Sequence, residues 1–147
     1  MAKAIKLSND IYLDSTGIVH NKKKLSDILY EEVVLFEGAS NKDITLLDNV
    51  ENYDKVRVEY YTNYNQRKSY KSITLSNTNN KSVTLDFNDY FSGYWYWSFS
   101  IISISLEKIS LADNRRLRVA DSGTWTPYGS TTNDIYVSKV VGIKKAS

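Results

Sequence analysis

Residues 55–60 read Lys-Val-Arg-Val-Glu-Tyr, and this short stretch decides the fold class. Apolar side chains occupy positions 56, 58 and 60, whereas charged side chains occupy positions 55, 57 and 59. Successive side chains of a β-strand point to opposite faces, so this alternation predicts a strand with one face buried and the other in solvent.

The same strand-like patterning continues on both sides of this stretch. Further alternating or apolar runs cover residues 11–13, 18–19, 33–36, 43–46, 73–75, 83–87, 109–111, 117–119 and 135–141. Turn-forming residues, such as Asp14–Gly17, Asn77–Asn80 and Asp113–Asn114, separate many of these runs. Eight or nine short strands at this spacing predict an all-β fold, either an antiparallel sandwich or a barrel, and we expect a jelly-roll-like β-sandwich.

The most apolar stretch, residues 94–106, changes phase part-way along. Its large apolar residues stand at odd positions from 95 to 101 and at even positions from 102 to 106. Such a change predicts a β-bulge or a bend between two sheets. If Trp95 and Trp97 enter the core, Tyr94 and Tyr96 face outward, onto solvent, another subunit or a ligand.

The first 31 residues differ from the rest of the chain. Residues 1–31 are expected to form an N-terminal arm or connector, and residues 32–147 a β-sandwich head domain. Within the arm, Leu25, Ile28 and Leu29 have the i, i+3, i+4 spacing of a brief helix. A helix of this length is unstable alone and needs a neighbour to pack on.

Composition excludes several classes of function. The formal net charge is only +2 and the basic residues are scattered, which argues against a nucleic-acid partner. The absence of cysteine excludes disulfides and thiolate metal sites and fits synthesis in a reducing cytoplasm. No apolar run has membrane-spanning length, and the N-terminus lacks the pattern of a signal peptide. Action outside a cell would therefore require release by lysis or as part of a particle.

Residues suited to catalysis are few. His20 is the single histidine, so a Ser-His-Asp triad would depend on it, and it is interpreted as a turn or surface residue. A glycosidase needs two carboxylates roughly 5–10 Å apart across a cleft, and the sequence offers the pairs Glu31–Glu32, Asp86–Asp89 and Asp113–Asp121. Neither a calcium loop nor a phosphate loop is present. We expect no enzymatic activity, no catalytic residue, no metal and no cofactor.

Aromatic residues are unusually dense, with 12 Tyr, 3 Trp and 4 Phe. One interpretation is that they form cross-strand pairs and fill the core. The other is that some form a platform for sugar rings or a subunit interface. Positions near turns are favoured, because sandwich folds carry binding residues there. The predicted ligand-binding residues are Tyr61, Tyr64, Tyr94, Tyr96, Trp125 and Tyr128.

Two parts of the chain resemble a known family. Ile11–Leu29 resembles the lead-in segment of tail-fibre and minor structural proteins of bacteriophages that infect Gram-positive and gut bacteria. Four further segments resemble the C-terminal head domain of those proteins: Leu35–Gly38, Ile44–Leu46, Asn52–Val58 and Ile135–Lys144. The resemblance implies a trimeric fibre tip in the virion tail, made in the host cytoplasm and attached to other tail proteins. It also implies binding of bacterial surface polysaccharide or teichoic acid without hydrolysis, with no membrane insertion.

Different assemblies stay open at this point. A threefold partner would bury Leu25, Ile28 and Leu29, which makes them the predicted oligomer contacts. The alternative is a structural virion protein, such as a fibre cap, adaptor or trimerisation knob, with no ligand of its own. Exposed loop aromatics favour a receptor-binding module, whereas aromatics used at subunit contacts favour the structural alternative.

Overall fold

The fold is built almost entirely from β-strands. The computed structural model describes residues 5–6, 11–14, 17–20, 23–24, 30–64, 67–76, 80–91, 93–119, 123, 125–127 and 135–145. In this part of the chain, one turn of 3-10 helix at Val50–Asn52 accompanies thirteen strands, and the strand pairs are antiparallel. The all-β, antiparallel class predicted from the sequence is confirmed.

The N-terminal region forms a small sheet of its own. Its four strands are adjacent in chain order: β1 Ile5–Lys6, β2 Ile11–Asp14, β3 Gly17–His20 and β4 Lys23–Lys24. Strands β2 and β3 pair from Ile11 opposite His20 to Asp14 opposite Gly17. The two strands predicted on either side of the turn-forming residues Asp14–Gly17 are therefore present and pair with each other.

The predicted helix of the arm is not described. Leu25, Ile28 and Leu29 lie outside the described residues, so their role as oligomer contacts stays a prediction. Strand β5 begins at Tyr30, close to the expected start of the head domain at residue 32.

Most of the remaining described residues form two further sheets. Sheet I has the order β5, β13, β7, β8, and these strands span Tyr30–Ser40, Ile135–Lys145, Lys55–Tyr64 and Arg67–Ser76. Sheet II has the order β12, β11, β10, β9, and these strands span Trp125–Pro127, Lys108–Val119, Tyr94–Ser105 and Lys81–Phe91. A two-residue strand, β6 (Ile44–Thr45), also pairs with β11.

One apolar core joins the two sheets. Val58 and Val137 of sheet I and Leu85 and Ile102 of sheet II are fully buried members of the same cluster. Burial of each such side chain stabilises the fold by about 1.5–3 kcal/mol. The inner faces of sheets I and II therefore pack against each other, as expected for a β-sandwich.

Strand β10 keeps one phase along its whole length. Even positions from Tyr96 to Ile104 are buried, and odd positions face outward, with Trp95 52% exposed. The phase change predicted inside this strand is wrong. The prediction failed because Ser98 and Ser100 lie on the inner face. They pair with Phe87 and Leu85 of β9, whose large side chains fill the core there.

A β-bulge is present at this point of the sheet, but it lies in the neighbouring strand β11 and not in β10. Ser100 pairs with Asn114 and Ile101 with Ala112, so Asp113 is an extra residue in β11. The predicted turn at Asp113–Asn114 is instead a β-bulge within a continuous strand. Because of this extra residue, Ile109 and Leu111 before the bulge lie on the inner face of sheet II, whereas Leu117 and Val119 after it lie on the outer face.

No helix in the described part of the chain is long and apolar enough to cross a membrane.

Candidate functional site

Three tyrosines form a row across the outer face of sheet I. Tyr70 on β8, Tyr61 on β7 and Tyr136 on β13 are neighbours in register. The rings of Tyr61 and Tyr136 are stacked, with centroids 5.2 Å apart and planes 12° from parallel. The rings of Tyr61 and Tyr70 are tilted by 39°, with centroids 5.4 Å apart. We call this row the tyrosine ladder.

The ring of Tyr70 is the accessible one in the ladder. Tyr61 lies between its two neighbours, and the Lys68 ammonium group is 5.2 Å from its ring centroid. Tyr70, on the edge strand β8, is 66% exposed. Tyr61 and Tyr136 therefore support Tyr70, whose ring is free to contact a ligand.

An open groove of about 450 Å³ lies beside Tyr70. Its lining residues are Arg57, Glu59, Tyr70, Lys71, Ser72 and Ser138. The groove thus combines one aromatic ring with both signs of charge and two hydroxyl groups. We call it the sheet I groove.

A β-bulge places one of these hydroxyls. Val137 pairs with Tyr60 and Lys139 pairs with Glu59, so Ser138 is the extra residue in β13. Its hydroxyl donates a hydrogen bond to the Glu59 carbonyl oxygen at 3.1 Å. The bulge therefore puts Ser138 among the groove residues and fixes it against the neighbouring strand.

Ion pairs hold the charged wall of the groove. Arg57 donates hydrogen bonds to both carboxylate oxygens of Glu32, at 2.7 and 2.9 Å, and to Glu59 at 3.2 Å. The hydrogen bonds from Arg57 hold the pKa of Glu32 below its usual value, and those to Glu32 raise the pKa of Arg57. A bidentate guanidinium–carboxylate pair has a defined geometry, so Arg57 is pre-positioned at the groove.

The structure separates the predicted ligand residues. Tyr61 belongs to the tyrosine ladder, whereas Tyr94 and Tyr96 belong to β10 of the other sheet. Tyr64 ends β7 and Trp125 begins β12, but the side chains of both lie outside the described part. Tyr128 lies outside the described residues altogether.

Tyr96 is not an outward-facing residue, contrary to the expectation that Tyr94 and Tyr96 face outward. It is 5% exposed, and the Arg116 guanidinium carbon lies 5.0 Å from its ring centroid. Tyr94, two residues earlier on the same side of β10, is partly exposed and has Arg118 at 5.0 Å from its ring. Each tyrosine therefore stacks with an arginine of β11, and these cation–π contacts let an aromatic residue with a polar hydroxyl lie on the inner face.

None of the six residues that line the sheet I groove was among the ligand-binding residues predicted from the sequence. Tyr70, Tyr136, Arg57 and Glu59 were not among the predicted ligand residues. The sequence did indicate part of the groove, because Arg57, Glu59 and Tyr61 are at alternate positions of β7 and so lie on the same outward face. The pairing of β7 with β8 and β13, which brings Tyr70 and Tyr136 alongside, is not visible in the local sequence.

The outer face of sheet II is different in character. Across its three longest strands it presents Tyr90, Trp95, Trp97, Phe99, Ile101, Leu117 and Val119. The rings of Trp97 and Phe99 lie 4.8 Å apart, and those of Tyr90 and Trp95 lie 5.1 Å apart. We call this set of residues the apolar face.

Among the described residues, no group of three or more His, Asp or Glu side chains could hold a metal ion. Comparison of the chain with protein-family models found no match, and comparison with curated protein sequences found none either.

Proposed function

We propose that this chain is the head of a bacteriophage tail-fibre tip that binds a bacterial surface polysaccharide through the sheet I groove. In this proposal the protein is a homotrimer, joined to other tail proteins in the virion. The observation that carries the proposal is the exposed Tyr70 ring beside the charged and hydroxyl-bearing groove. The resemblance of Ile11–Leu29 and Ile135–Lys144 to phage tail-fibre segments supports the biological setting.

The groove has the chemistry that sugar recognition needs. One face of a pyranose ring carries mainly C–H groups, which pack on an aromatic ring such as Tyr70. Its hydroxyl groups both donate and accept hydrogen bonds, so they suit the Glu59 carboxylate and the Arg57 guanidinium. Ser72 and Ser138 add hydroxyls that can act in either role.

The electrostatics of the groove support binding rather than hydrolysis. A glycosidase needs one carboxylic acid with a raised pKa, which protonates the leaving oxygen. Arg57 instead lowers the pKa of Glu32 and also forms an ion pair with Glu59 at 3.2 Å. The Glu59 carboxylate, which lines the groove, is suited to accept hydrogen bonds from a ligand.

A threefold assembly would suit so open a site. A shallow groove makes few contacts with a single sugar unit, so its affinity is expected to be low. Three grooves on one particle bind a repeating polysaccharide with a high effective concentration after the first contact. The proposed trimer therefore provides avidity without a deep pocket.

Binding to a panel of purified capsular polysaccharides and wall teichoic acids tests the proposal. The full chain is immobilised, and the affinity of each polymer is measured by biolayer interferometry. We expect at least one polymer to bind, and we expect Tyr70→Ala to weaken that binding about tenfold, which corresponds to about 1.4 kcal/mol.

Tyr30→Ala is the matched control. Tyr30 is another exposed tyrosine of sheet I, but it lies on the opposite edge strand, β5. Its substitution is expected to leave binding unchanged. Equal loss in both variants, or equal binding by wild type and Tyr70→Ala, would contradict a site at the sheet I groove.

The second candidate is a structural virion protein with no ligand of its own. The apolar face favours it, because aromatic residues there are suited to contacts between protein chains. Absence of binding to every polymer, together with stable association of the chain with itself or with other tail proteins, would support this alternative.

A further inference from the structure

The apolar face is unusual for the outside of a β-sandwich. Trp95 and Tyr90 are about half exposed, at 52% and 53%, and the partly exposed Trp97 and Phe99 continue the same stripe. Large contiguous apolar patches on a protein surface mark sites of association. In a single chain these four rings are therefore partly in contact with water.

Hydroxyl groups border the apolar face at one end. Ser103 of β10 lies opposite Ser82 of β9 and Ser110 of β11. The hydroxyls of Ser82 and Ser103 are hydrogen-bonded to each other at 3.0 Å. An apolar centre with a polar border is the usual anatomy of a protein–protein interface.

Charge is distributed unequally across this face. Phe99 lies at the middle, with Asp86 opposite it on β9 and Arg115 opposite it on β11. Asp86 also forms an ion pair with Lys71 at 3.6 Å, and its side chain is 40% exposed. Arg115 is exposed. Phe99 therefore lies between one acidic side chain, on β9, and one basic side chain, on β11.

We propose that the apolar face is the interface between copies of this chain, related by a rotation axis parallel to β10. Rotation about such an axis brings the β9 side of one copy against the β11 side of the next. Asp86 of one copy then lies near Arg115 of its neighbour, in a dimer and in a trimer alike. An axis perpendicular to the strands would instead bring like charges together, which disfavours it.

Charge complementarity also identifies the occupant of the face. A surface with opposite charges on its two sides is complementary to itself, so a second copy of the chain satisfies both sides at once. The proposal rests on the homo-oligomer named in the proposed function and adds where that oligomer forms. It can be tested without the glycan, because the sheet I groove lies on the other sheet of the sandwich, although the groove residue Lys71 forms the ion pair with Asp86.

Light scattering after size-exclusion chromatography of the full chain tests the proposal. Wild type is expected to elute with the mass of an oligomer, and Phe99→Lys with the mass of one chain. Tyr70→Lys is the matched control, because it places the same charge at an exposed aromatic of the outer face of sheet I. It is expected to keep the mass of wild type.

A charge exchange covers the case in which Phe99→Lys does not fold. Arg115→Asp is expected to raise the dissociation constant of the oligomer at least tenfold at low salt. The double substitution Asp86→Arg with Arg115→Asp exchanges the two sides and is expected to restore the wild-type constant.

The outcomes separate the inference from the function on which it rests. If wild type is an oligomer and Phe99→Lys has the same mass, the apolar face is not the interface. The same conclusion follows if the exchange does not rescue Arg115→Asp. Either result contradicts the interface but not the oligomer. A wild type that is monomeric at all concentrations would overturn both.

Discussion

Arg57 on β7 and Glu32 on β5 are joined by two hydrogen bonds, of 2.7 and 2.9 Å, although strand β13 lies between them in sheet I. Val141 of β13 is the residue in register with Arg57, and it is only 1% exposed although it lies on the outer face. The ion pair therefore crosses Val141 and shields it from water. Arg57 of this pair also lines the sheet I groove.

The first prediction concerns this ion pair and pH. The pKa of Glu32 is lowered in the folded state by its hydrogen bonds from Arg57. A group whose pKa is lowered on folding stabilises the protein above its unfolded pKa, and this contribution is lost as the pH falls through the folded value. We expect Glu32→Gln to lower the urea midpoint at pH 7. The difference from wild type should shrink as the pH falls below the ordinary value of 4.5.

Glu37→Gln is the control for this experiment. Glu37 is also on β5, but its contact with Lys139 is longer, at 3.7 Å, and its side chain is 70% exposed. We expect it to change the midpoint little at any pH. A Glu32→Gln effect of the same size at acidic and neutral pH would show that the loss is one of packing and not of charge.

The second prediction concerns Tyr53, which is 9% exposed and donates a hydrogen bond to Asp48 at 2.8 Å. Tyr53→Phe removes this bond and leaves an acceptor with one donor fewer, so we expect the free energy of unfolding to fall by about 1–2 kcal/mol. Thermal or urea denaturation at pH 7 measures this change. Tyr30→Phe, at an exposed position, should have almost no effect.

Alkaline pH gives a second test of the same contact. Burial and the bond to Asp48 raise the pKa of Tyr53 from 10.0 to about 12. Between these values the unfolded chain loses this proton while the folded chain retains it, so stability falls as the pH rises. We expect Tyr53→Phe to lose less stability than wild type over this range. Identical pH profiles would refute the raised pKa.

The third prediction concerns Gly142, which packs against the ring of Tyr53. A Cβ at position 142 would lie well inside van der Waals distance of the ring atoms of Tyr53. We expect Gly142→Ala to lower the free energy of unfolding by about 1–3 kcal/mol through overpacking. A double-mutant cycle with Tyr53→Ala checks the cause, because the cost of the alanine should shrink when the ring is absent.

The fourth prediction concerns two buried hydroxyls. The side-chain oxygens of Thr62 and Ser100 have no hydrogen-bond partner among the described residues, and both residues are buried. A buried hydroxyl without a partner costs about 1–3 kcal/mol. We therefore expect Thr62→Val and Ser100→Ala each to raise the free energy of unfolding, by about 1 kcal/mol.

Thr74→Val provides the control for these hydroxyls. Thr74 is on β8 and exposed, so its hydroxyl is solvated in both states. We expect its substitution to have almost no effect on stability. Destabilisation by Thr62→Val would mean that the hydroxyl has a partner, and would contradict the prediction.

Local sequence predicted the strands well where hydrophobicity and burial agree. In β7, Val56, Val58 and Tyr60 alternate with charged residues, and all three are buried in the core. In the first half of β10 the same reasoning gave the wrong inner face, because small and aromatic polar residues occupy it, whereas Ile102 and Ile104 are buried as their parity predicted. Ser98, for example, is buried opposite Phe87, where a larger side chain would compete for the same space.

The candidate site was less predictable than the strands. The sequence indicated that tyrosines on this chain could bind a ligand, and Tyr61 lies in the tyrosine ladder. Tyr136 is 75 positions away from Tyr61 in the sequence and joins it only because β13 pairs with β7. Arg57 likewise contacts Glu32 only because sheet I brings β5 and β7 to either side of β13.

The sequence by itself determined the all-β class of this protein and the inward side of strands such as β7, since a period of two depends only on neighbouring residues. Tertiary structure decided which strands are neighbours, which face of β10 is buried and which tyrosine is accessible. These depend on contacts between residues far apart in the chain and on shifts of strand register, such as the bulges at Asp113 and Ser138. Local patterning carries no information on such contacts, so the groove and the apolar face became visible only once the sheets were assembled.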